Sequence, residues 1–255
     1  MNNRIRFLSA SFVIIALAGL SAAQDPLVVA PEAYKLQFEN DWVRVVRVHY
    51  APLVKLPAHD HPKRQAIFIY LNDGGPVRFK HVEGVSGDYA ATRPPTKAGA
   101  YRLAGIQPEN HIVENLSDLP NDFLQVELKT EAPELKSFRG RFYPDLSLKD
   151  EKGNYRKVEF ENDQARIIRL ACAAGGECDP PVLSTYPALM VALTALEFKP
   201  VSKGSPVKLN LGQTKWLEAG KAEHWKNGSE ARADYLLIEL KTKPAASTAG
   251  TQSTK

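Results

Sequence analysis

The sequence predicts an all-β protein that consists of two tandem jelly-roll barrels. The first observation is an internal repeat, because the segment 38–48 (FENDWVRVVRV) returns 122 residues later at 160–170 (FENDQARIIRL). The second is a matching end, because the segment 123–130 (FLQVELKT) returns at 235–242 (YLLIELKT). Two copies are too few for a solenoid, in which repeats stack on one another, so each copy must close its own core.

Short strands fill each copy. The predicted strands are rich in Val, Ile, Phe and Tyr and span 43–50, 66–71, 77–82, 111–115 and 123–129 in the first copy and 165–172, 188–198, 206–211 and 234–242 in the second. Turn-forming runs such as 72–76 (NDGGP) separate them. No long stretch has the period of an amphipathic helix. Short, regularly spaced strands favour a sandwich or a closed barrel, and a barrel can hold a ligand at its mouth.

The first residues have the pattern of a secretory signal peptide. Arg4 and Arg6 precede an apolar run at 7–20, and small residues at 21–23 precede Gln24. This pattern predicts cleavage after residue 23 and an exported protein, periplasmic or secreted, with no membrane span after cleavage. An uncleaved N-terminal anchor is the alternative.

The charge balance gives no sign of a nucleic-acid partner. The chain has 33 Lys and Arg against 29 Asp and Glu, for a formal net charge of +4. Five of the basic residues lie in the leader or at the end of the chain, and the rest balance at 28 against 29: Arg4, Arg6, Lys241, Lys243 and Lys255. A nucleic-acid binder usually has a basic face. We therefore expect a small-molecule ligand or substrate, with a homodimer as a possibility left open.

These observations divide the chain into five segments. The predicted segments are a signal peptide at 1–23, a first domain with the histidine site at 24–131, a linker at 132–154, a degenerate second domain at 155–243 and a disordered tail at 244–255. The linker is polar and contains Pro and Gly, whereas the tail has no apolar residue larger than Ala.

Two cysteines fit an exported protein. Cys172 and Cys178 enclose the flexible segment AAGGE, which can bring the two sulfur atoms together. Export favours a disulfide between them. A metal or redox pair of free thiols is the alternative.

The histidines are concentrated in the first copy. His59 and His61 stand at positions i and i+2, so that an extended chain directs both to one face. Gln65 follows four residues later, and His111 begins another predicted strand with Asn115 four residues beyond it. Imidazoles from two neighbouring strands can converge on one transition-metal ion. The alternative is a solvated surface turn, and His49 and His81 are expected to be ordinary strand-end or surface residues.

These spacings resemble those of the cupin family. The family's first motif has HxH, a Glu three or four residues later and a final Gly, and the second has a Gly, a PxG turn, a His and then an Asn. The matching positions are His59, His61, Gln65 and Gly74 or Gly75 for the first motif, and Gly105, Pro108, His111 and Asn115 for the second. The opening Gly of the first motif is absent, and the turn after Pro108 departs from PxG. The resemblance covers roughly residues 34–130 of the chain.

The resemblance implies a mononuclear metal site. His59, His61 and His111 correspond to metal ligands, and Gln65 corresponds to the usual Glu, with its amide oxygen as a possible fourth ligand. Asn115 is expected to point inward and to support the ligands without touching the metal. A site without the Glu carries one more positive charge and lacks an oxyanion ligand. The loss of that ligand makes Mn²⁺ and Mg²⁺ less favoured and leaves Fe, Zn, Ni or Cu on the imidazoles. The alternative is a decayed site that binds no metal.

The second copy lacks this site. The positions that correspond to His59, His61 and Gln65 are Pro181, Leu183 and Pro187, which cannot ligate through their side chains. His224 with Asn227 is the remnant of the second motif. The whole chain thus resembles an exported bicupin with a degenerate C-terminal domain.

Cupins have many functions, so the fold does not select one. The first hypothesis is an exported metal-dependent enzyme, such as a dioxygenase, isomerase or hydrolase, that acts on or binds a small polar or acidic molecule. No catalytic residue is assigned. The alternative is a non-catalytic exported protein that binds a small, sugar-like ligand or has a structural role.

Overall fold

The computed structural model describes residues 24–81, 90–106, 109–133, 137–145, 153–178, 182–183 and 185–246. The predicted signal peptide and most of the predicted tail lie outside these residues. Among them, no helix has the length and apolar content to cross a bilayer.

The first half of the chain forms two antiparallel sheets. Its elements are α1 (Pro26–Val29), β1 (Tyr34–Glu39), β2 (Val43–Tyr50), β3 (His59–His61), β4 (Ala66–Tyr70), β5 (Val77–His81), β6 (Ala90–Arg93), β7 (Tyr101–Ala104), β8 (Glu109–Asn115), β9 (Asn121–Leu128) and β10 (Gly140–Phe142). The larger sheet has the order β1-β2-β9-β4-β7-β10 and the smaller β3-β8-β5-β6. Two facing sheets with this crossover order form a jelly-roll barrel.

The second half repeats this arrangement. Its strands are β11 (Tyr155–Glu161), β12 (Ala165–Cys172), β13 (Val182–Leu183), β14 (Ala188–Ala192), β15 (Leu196–Pro200), β16 (Val207–Leu209), β17 (Thr214–Leu217), β18 (Ala222–Glu223), β19 (Trp225–Asn227) and β20 (Ala233–Leu240). The sheet β11-β12-β20-β14-β17 corresponds to the larger sheet of the first half. The predicted all-β fold is therefore confirmed.

The repeated FEND segment forms the same turn in both halves. The side-chain oxygen of Asn40 accepts hydrogen bonds from the main-chain N–H groups of Trp42 and Val43, both at 2.9 Å. Asn162 does the same for the two equivalent N–H groups, also at 2.9 Å. An Asn side chain that bonds the main chain in this way fixes a tight turn, so the repeat serves the fold.

Alternate residues of the large-sheet strands enter different cores. Val43 and Val45 of β2 join a cluster that also contains Ile167 and Ile238 from the second half. Val46 and Val48 of β2 face the interior of the first barrel instead. Since side chains alternate along a strand, one core lies inside each barrel and a third joins the two large sheets.

Two sequence-based expectations differ from the structure. The segment 188–198 is two strands, β14 and β15, because the chain leaves the large sheet at 193–195, where the N–H groups of Leu193 and Thr194 bond the carbonyl of Asp234. The segment predicted as a linker contributes β10, and Phe138 is completely buried in the core between the sheets. The domain boundaries stay predictions.

Candidate metal centre

Three histidines converge inside the first barrel. β3 carries His59 and His61, and β8 pairs with it so that His59 lies opposite His111. Their candidate ligand nitrogens all lie within 4.8 Å of one another. His59 and His111 are 0% and 2% exposed. The two strands of the small sheet thus bring together the three imidazoles that the sequence singled out.

The ring of His59 is oriented by hydrogen bonds at both nitrogens. Nδ1 lies 2.8 Å from the carbonyl oxygen of Pro57, and Nε2 lies 3.0 Å from the hydroxyl of Tyr34. Because a carbonyl only accepts, Nδ1 must donate, and in the neutral ring Nε2 then keeps its lone pair. A main-chain acceptor behind a histidine is the usual arrangement for a metal ligand. Nε2 is therefore the nitrogen that could bind an ion, in place of the hydrogen bond that it accepts from Tyr34.

The three imidazoles are held in the neutral form. Burial lowers the pKa of His59. Burial, together with the neighbouring His59, lowers the pKa of His61 to about 3. Burial and the two other histidines bring the pKa of His111 far below its usual range. Neutral imidazoles are the form that binds a metal ion, so this donor set fits a divalent transition metal.

A glutamine that sequence reasoning missed contacts the site. The amide nitrogen of Gln125, on β9, lies 3.3 Å from Nδ1 of His61 and donates to the carboxylate of Glu127 at 3.1 Å. Both residues are buried, and burial raises the pKa of Glu127. Gln125 stands where the second copy has Leu237, so a comparison of the two closing repeats is the signal that could have found it.

Glu127 itself belongs to a pair that both halves share. Arg44 lies opposite Glu127 across β2 and β9, with a guanidinium nitrogen 3.6 Å from its carboxylate. Arg166 and Glu239 occupy the equivalent positions and form an ion pair in which Nε of Arg166 donates a hydrogen bond to the carboxylate. The second half keeps this ion pair without the histidines. The pair is therefore part of the fold, whereas Gln125 is particular to the site.

Gln65 lines a different cavity from His61 and His111. It shares that cavity with Leu128 and Thr130, and its main-chain carbonyl accepts a hydrogen bond from the main-chain N–H of Leu128 at 2.8 Å. The side chain is 2% exposed, and neither amide atom has a hydrogen-bond partner among the described residues. Its role as a fourth ligand stays a prediction.

Asn115 is bonded to the main chain. Its amide nitrogen donates to the carbonyls of Ala51 and Leu119, both at 2.9 Å. Asn227 in the second half donates to the carbonyls of Cys172 and Ala231 at 3.2 and 2.8 Å. The same amide geometry occurs in both halves, so these bonds of Asn115 hold a turn and need no metal site.

A small cavity adjoins the histidines. It has a volume of about 40 Å³, and its lining includes His61, His111 and Gln125. His81, the partner of His111 across β5 and β8, is half-buried with its ring centre 5.6 Å from that of His111. His49 is half-exposed beside Asp122, as expected for a surface residue.

The second half has an apolar interior. Trp225 and Phe198 are stacked with centres 5.4 Å apart, and Cys172 and Cys178 form the predicted disulfide beside them. His224 lies 3.4 Å from Glu177 near the surface. In the part of the chain that the structure describes, no other group of three His, Cys, Asp or Glu side chains converges as the first does.

Comparison with known proteins shows the fold. No protein-family model and no curated protein matches the chain. Among solved structures, AerE from Microcystis aeruginosa aligns with a TM-score of 0.54 at 14% identity over 82% of this chain and 97% of AerE. YhaK from Escherichia coli aligns with a TM-score of 0.54 at 14% identity over 82% and 91% of the two chains.

An enzyme is also among these structures. A variant of salicylate 1,2-dioxygenase from Pseudoaminobacter salicylatoxidans, in complex with gentisate, aligns with a TM-score of 0.52 at 12% identity over 78% of this chain and 69% of the enzyme. These neighbours are cupin-fold proteins. At such identities the likeness concerns architecture alone, and the protein therefore has the cupin fold.

Proposed function

We propose that His59, His61 and His111 hold one divalent transition metal and that the protein acts there on a small polar or acidic molecule. The observation that carries this proposal is the convergence of three neutral imidazoles, two of them fully buried, to within 4.8 Å. Imidazole ligands suit Fe, Zn, Ni and Cu, and none of the three side chains is an oxygen ligand of the kind that Mg²⁺ prefers. Gln65 is kept only as a candidate fourth ligand.

The surrounding side chains supply groups for proton transfer. A metal ion bound there would supply Lewis acidity, which polarises a substrate oxygen or lowers the pKa of bound water. The hydroxyls of Tyr34 and Tyr50 lie 2.8 Å apart, and that of Tyr34 reaches His59. Gln125 joins His61 to the carboxylate of Glu127. These groups orient the imidazoles and offer donors and acceptors to a ligand.

An enzyme is the function that we favour, with oxygenation, isomerisation or hydrolysis as the reaction classes. The dioxygenase among the structural neighbours supports the first of these. A non-catalytic, sugar-like ligand binder or a structural protein is the second candidate. The size of the cavity favours the structural role within that candidate, because about 40 Å³ is far below the usual volume of a pocket for a substrate or a sugar-like ligand.

We also propose that the protein is exported and acts in the periplasm or outside the cell. The leader pattern at 1–23 and the disulfide between Cys172 and Cys178 support this. In this proposal the first barrel, at 24–131, carries the activity, and the barrel at 155–243 has lost it.

Elemental analysis by mass spectrometry tests the metal site. The purified protein should contain about one equivalent of Fe, Zn, Ni or Cu per chain. His61→Ala should lose most of it and keep the circular dichroism spectrum, whereas the control His49→Ala, on the surface, should keep the metal. Equal metal content in the two variants would refute the site. Oxygen uptake by the iron-loaded protein with aromatic acids would then separate an oxygenase from a binding protein.

A further inference from the structure

Four arginines line one cleft beside the histidine cavity. Arg93 ends β6, Arg102 lies on β7, and Arg139 and Arg141 come from the segment of β10. The cleft has a volume of about 420 Å³. Its other described lining residues are uncharged: Leu103, Ala104, Gly105 and Gly140. None of the described side chains that line it is therefore acidic.

The fold fixes two of these charges directly opposite each other. Arg141 pairs with Arg102 in the register of β10 and β7. On the opposite face of the two strands, Phe142 stacks on Tyr101 with ring centres 4.7 Å apart, which anchors β10 in the core. A Cβ atom at Gly140 would lie 2.7 Å from the Phe142 ring, so glycine is required between Arg139 and Arg141. Like charges in directly opposed positions destabilise a sheet.

Most other arginines of the described chain have a carboxylate partner. Seven lie within 4 Å of an Asp or Glu oxygen: Arg44, Arg47, Arg64, Arg78, Arg166, Arg169 and Arg232. Arg93, Arg139 and Arg141 form no ion pair with any described residue. Among the described residues, three of the four arginine charges in this one concave place thus have no neutralising acid, which is the arrangement expected of an anion site.

The cleft adjoins the histidine cavity. Arg93 and Arg102 line both spaces. The guanidinium of Arg93 lies over the ring of Phe79 at 4.7 Å, and that of Arg102 over the ring of Phe68 at 4.1 Å. Such cation–π contacts hold the two guanidinium groups in place between the cleft and the imidazoles.

We propose that this arginine cleft binds a small molecule that carries at least two negative charges on carboxylate or phosphate groups. Guanidinium groups bind both kinds of oxyanion through paired hydrogen bonds. The charged end of the ligand lies among the four arginines, and the rest extends toward His61 and His111. Only the extension of the ligand toward His61 and His111 rests on the proposed metal function, since the arginines attract an anion with or without a metal.

Isothermal titration calorimetry at low ionic strength tests the proposal, because salt screens partly exposed charges. Succinate and pyrophosphate serve as the carboxylate and phosphate probes, and acetate as the monovalent comparison. We expect one site per chain for at least one divalent probe and much weaker binding of acetate. The probe that binds more tightly identifies the oxyanion class.

Two double variants locate the site. Arg139→Gln with Arg141→Gln should weaken the binding of the divalent probe by at least about 10-fold. The matched control, Arg156→Gln with Lys157→Gln, removes two exposed charges from β11 and should bind as the unchanged protein does. Arg141→Lys should give an intermediate affinity, because lysine keeps the charge and loses the paired hydrogen bonds.

Unchanged affinity in the folded Arg139/Arg141 variant would overturn the proposal. So would binding of a long polyanion such as heparin with no binding of either small divalent probe. His61→Ala provides the separation from the metal site, because it should lose metal and keep the affinity for the probe. The metal proposal can therefore fail while the anion proposal stands, and the reverse is also true.

Discussion

At the scale of single side chains, Asn115 and Asn227 make the same kind of hydrogen bonds in the two halves of the chain. Each amide nitrogen bonds two main-chain carbonyls in its own half. Asn115→Ala removes two part-buried hydrogen bonds of about 1 kcal/mol each, which should cost about 2 kcal/mol in all and lower Tm by about 4–8 °C. Asn227→Ala should have an effect of similar size.

The metal content of Asn115→Ala decides what the residue does. We expect it to equal that of the unchanged protein, because the bonds of Asn115 go to the main chain. A variant that keeps its Tm and loses its metal would show instead that Asn115 supports the ligands, as the family resemblance implies.

Two buried or partly buried glutamates should give opposite dependences of stability on pH. Burial raises the pKa of Glu127 above its ordinary value of 4.5, so the folded state keeps a proton that the unfolded chain has lost. Its contribution to stability therefore falls as pH rises from 4.5 through the folded pKa. Hydrogen bonds from Lys80 and Lys55 lower the pKa of Glu114, so its contribution is present above 4.5 and is lost as pH falls below that value.

Urea titrations between about pH 2.5 and pH 8 can separate the two effects, because the Glu114 effect lies below 4.5 and the Glu127 effect lies above it. Relative to the unchanged protein, Glu127→Gln should gain stability as pH rises, whereas Glu114→Gln should lose it. If the stability of both variants, relative to the unchanged protein, changed in the same direction with pH, one of the two pKa directions would be wrong.

The residues of the site differ in how far sequence could predict them. His59, His61 and His111 could be predicted because two short motifs fix their spacing. The register of β3 and β8 then places His59 opposite His111. Gln125 lies on β9, outside both motifs, and contacts His61 only through the fold. The direction of Gln65 depends on the path of the chain between β3 and β4, which spacing alone does not determine.

At the scale of elements, the disulfide joins the end of β12 to the loop that follows it. Cys172 and Cys178 are six residues apart, and both sulfur-bearing side chains are buried among apolar residues. Closure of so short a loop stabilises by about 2 kcal/mol, so reduction should lower Tm by about 4–8 °C. Calorimetry with and without reductant measures this, with Cys172→Ala plus Cys178→Ala as a variant that reductant should not affect. Metal content should stay the same, because the bridge lies in the other half.

The strands themselves were predictable where they are long and apolar. β2 and β12 have the bounds that the sequence indicated, since apolar residues dominate both. β10 was missed because its residues, Gly140–Phe142, are too few and too polar to give a strand pattern. It forms only because β7 offers an edge and the core accepts Phe142.

At the scale of the whole molecule, one apolar core joins the two large sheets. Ile67, Leu124 and Val126 of the first half pack in a single cluster with Leu189 and Leu236 of the second. The sequence predicted two barrels, each with its own core, but an alternating strand pattern cannot show which surface covers the outer face. That face is covered by the other copy.

Residues 24–131 expressed alone should therefore aggregate. The isolated half exposes the apolar face that the second half covers, and such a patch promotes association. A chain that ends at residue 246 keeps both faces and is the control, which should stay monodisperse in size-exclusion chromatography with light scattering. A monomeric 24–131 fragment with a sharp unfolding transition would show that the shared core is dispensable.

The shared core also affects the chain while it is being synthesised. Strand β9 of the first large sheet ends at Leu128, and β20, the last strand of the second large sheet, ends at Leu240, 112 residues later. At a synthesis rate of about 5–20 residues per second, this interval lasts about 6–22 s. During that interval the second half is not yet present to bury the apolar outer face of the first half. For part of the interval the first half also lacks its edge strand β10. A nascent chain in this condition is a substrate for holding chaperones, and codons that slow translation of the second half would lengthen its exposure.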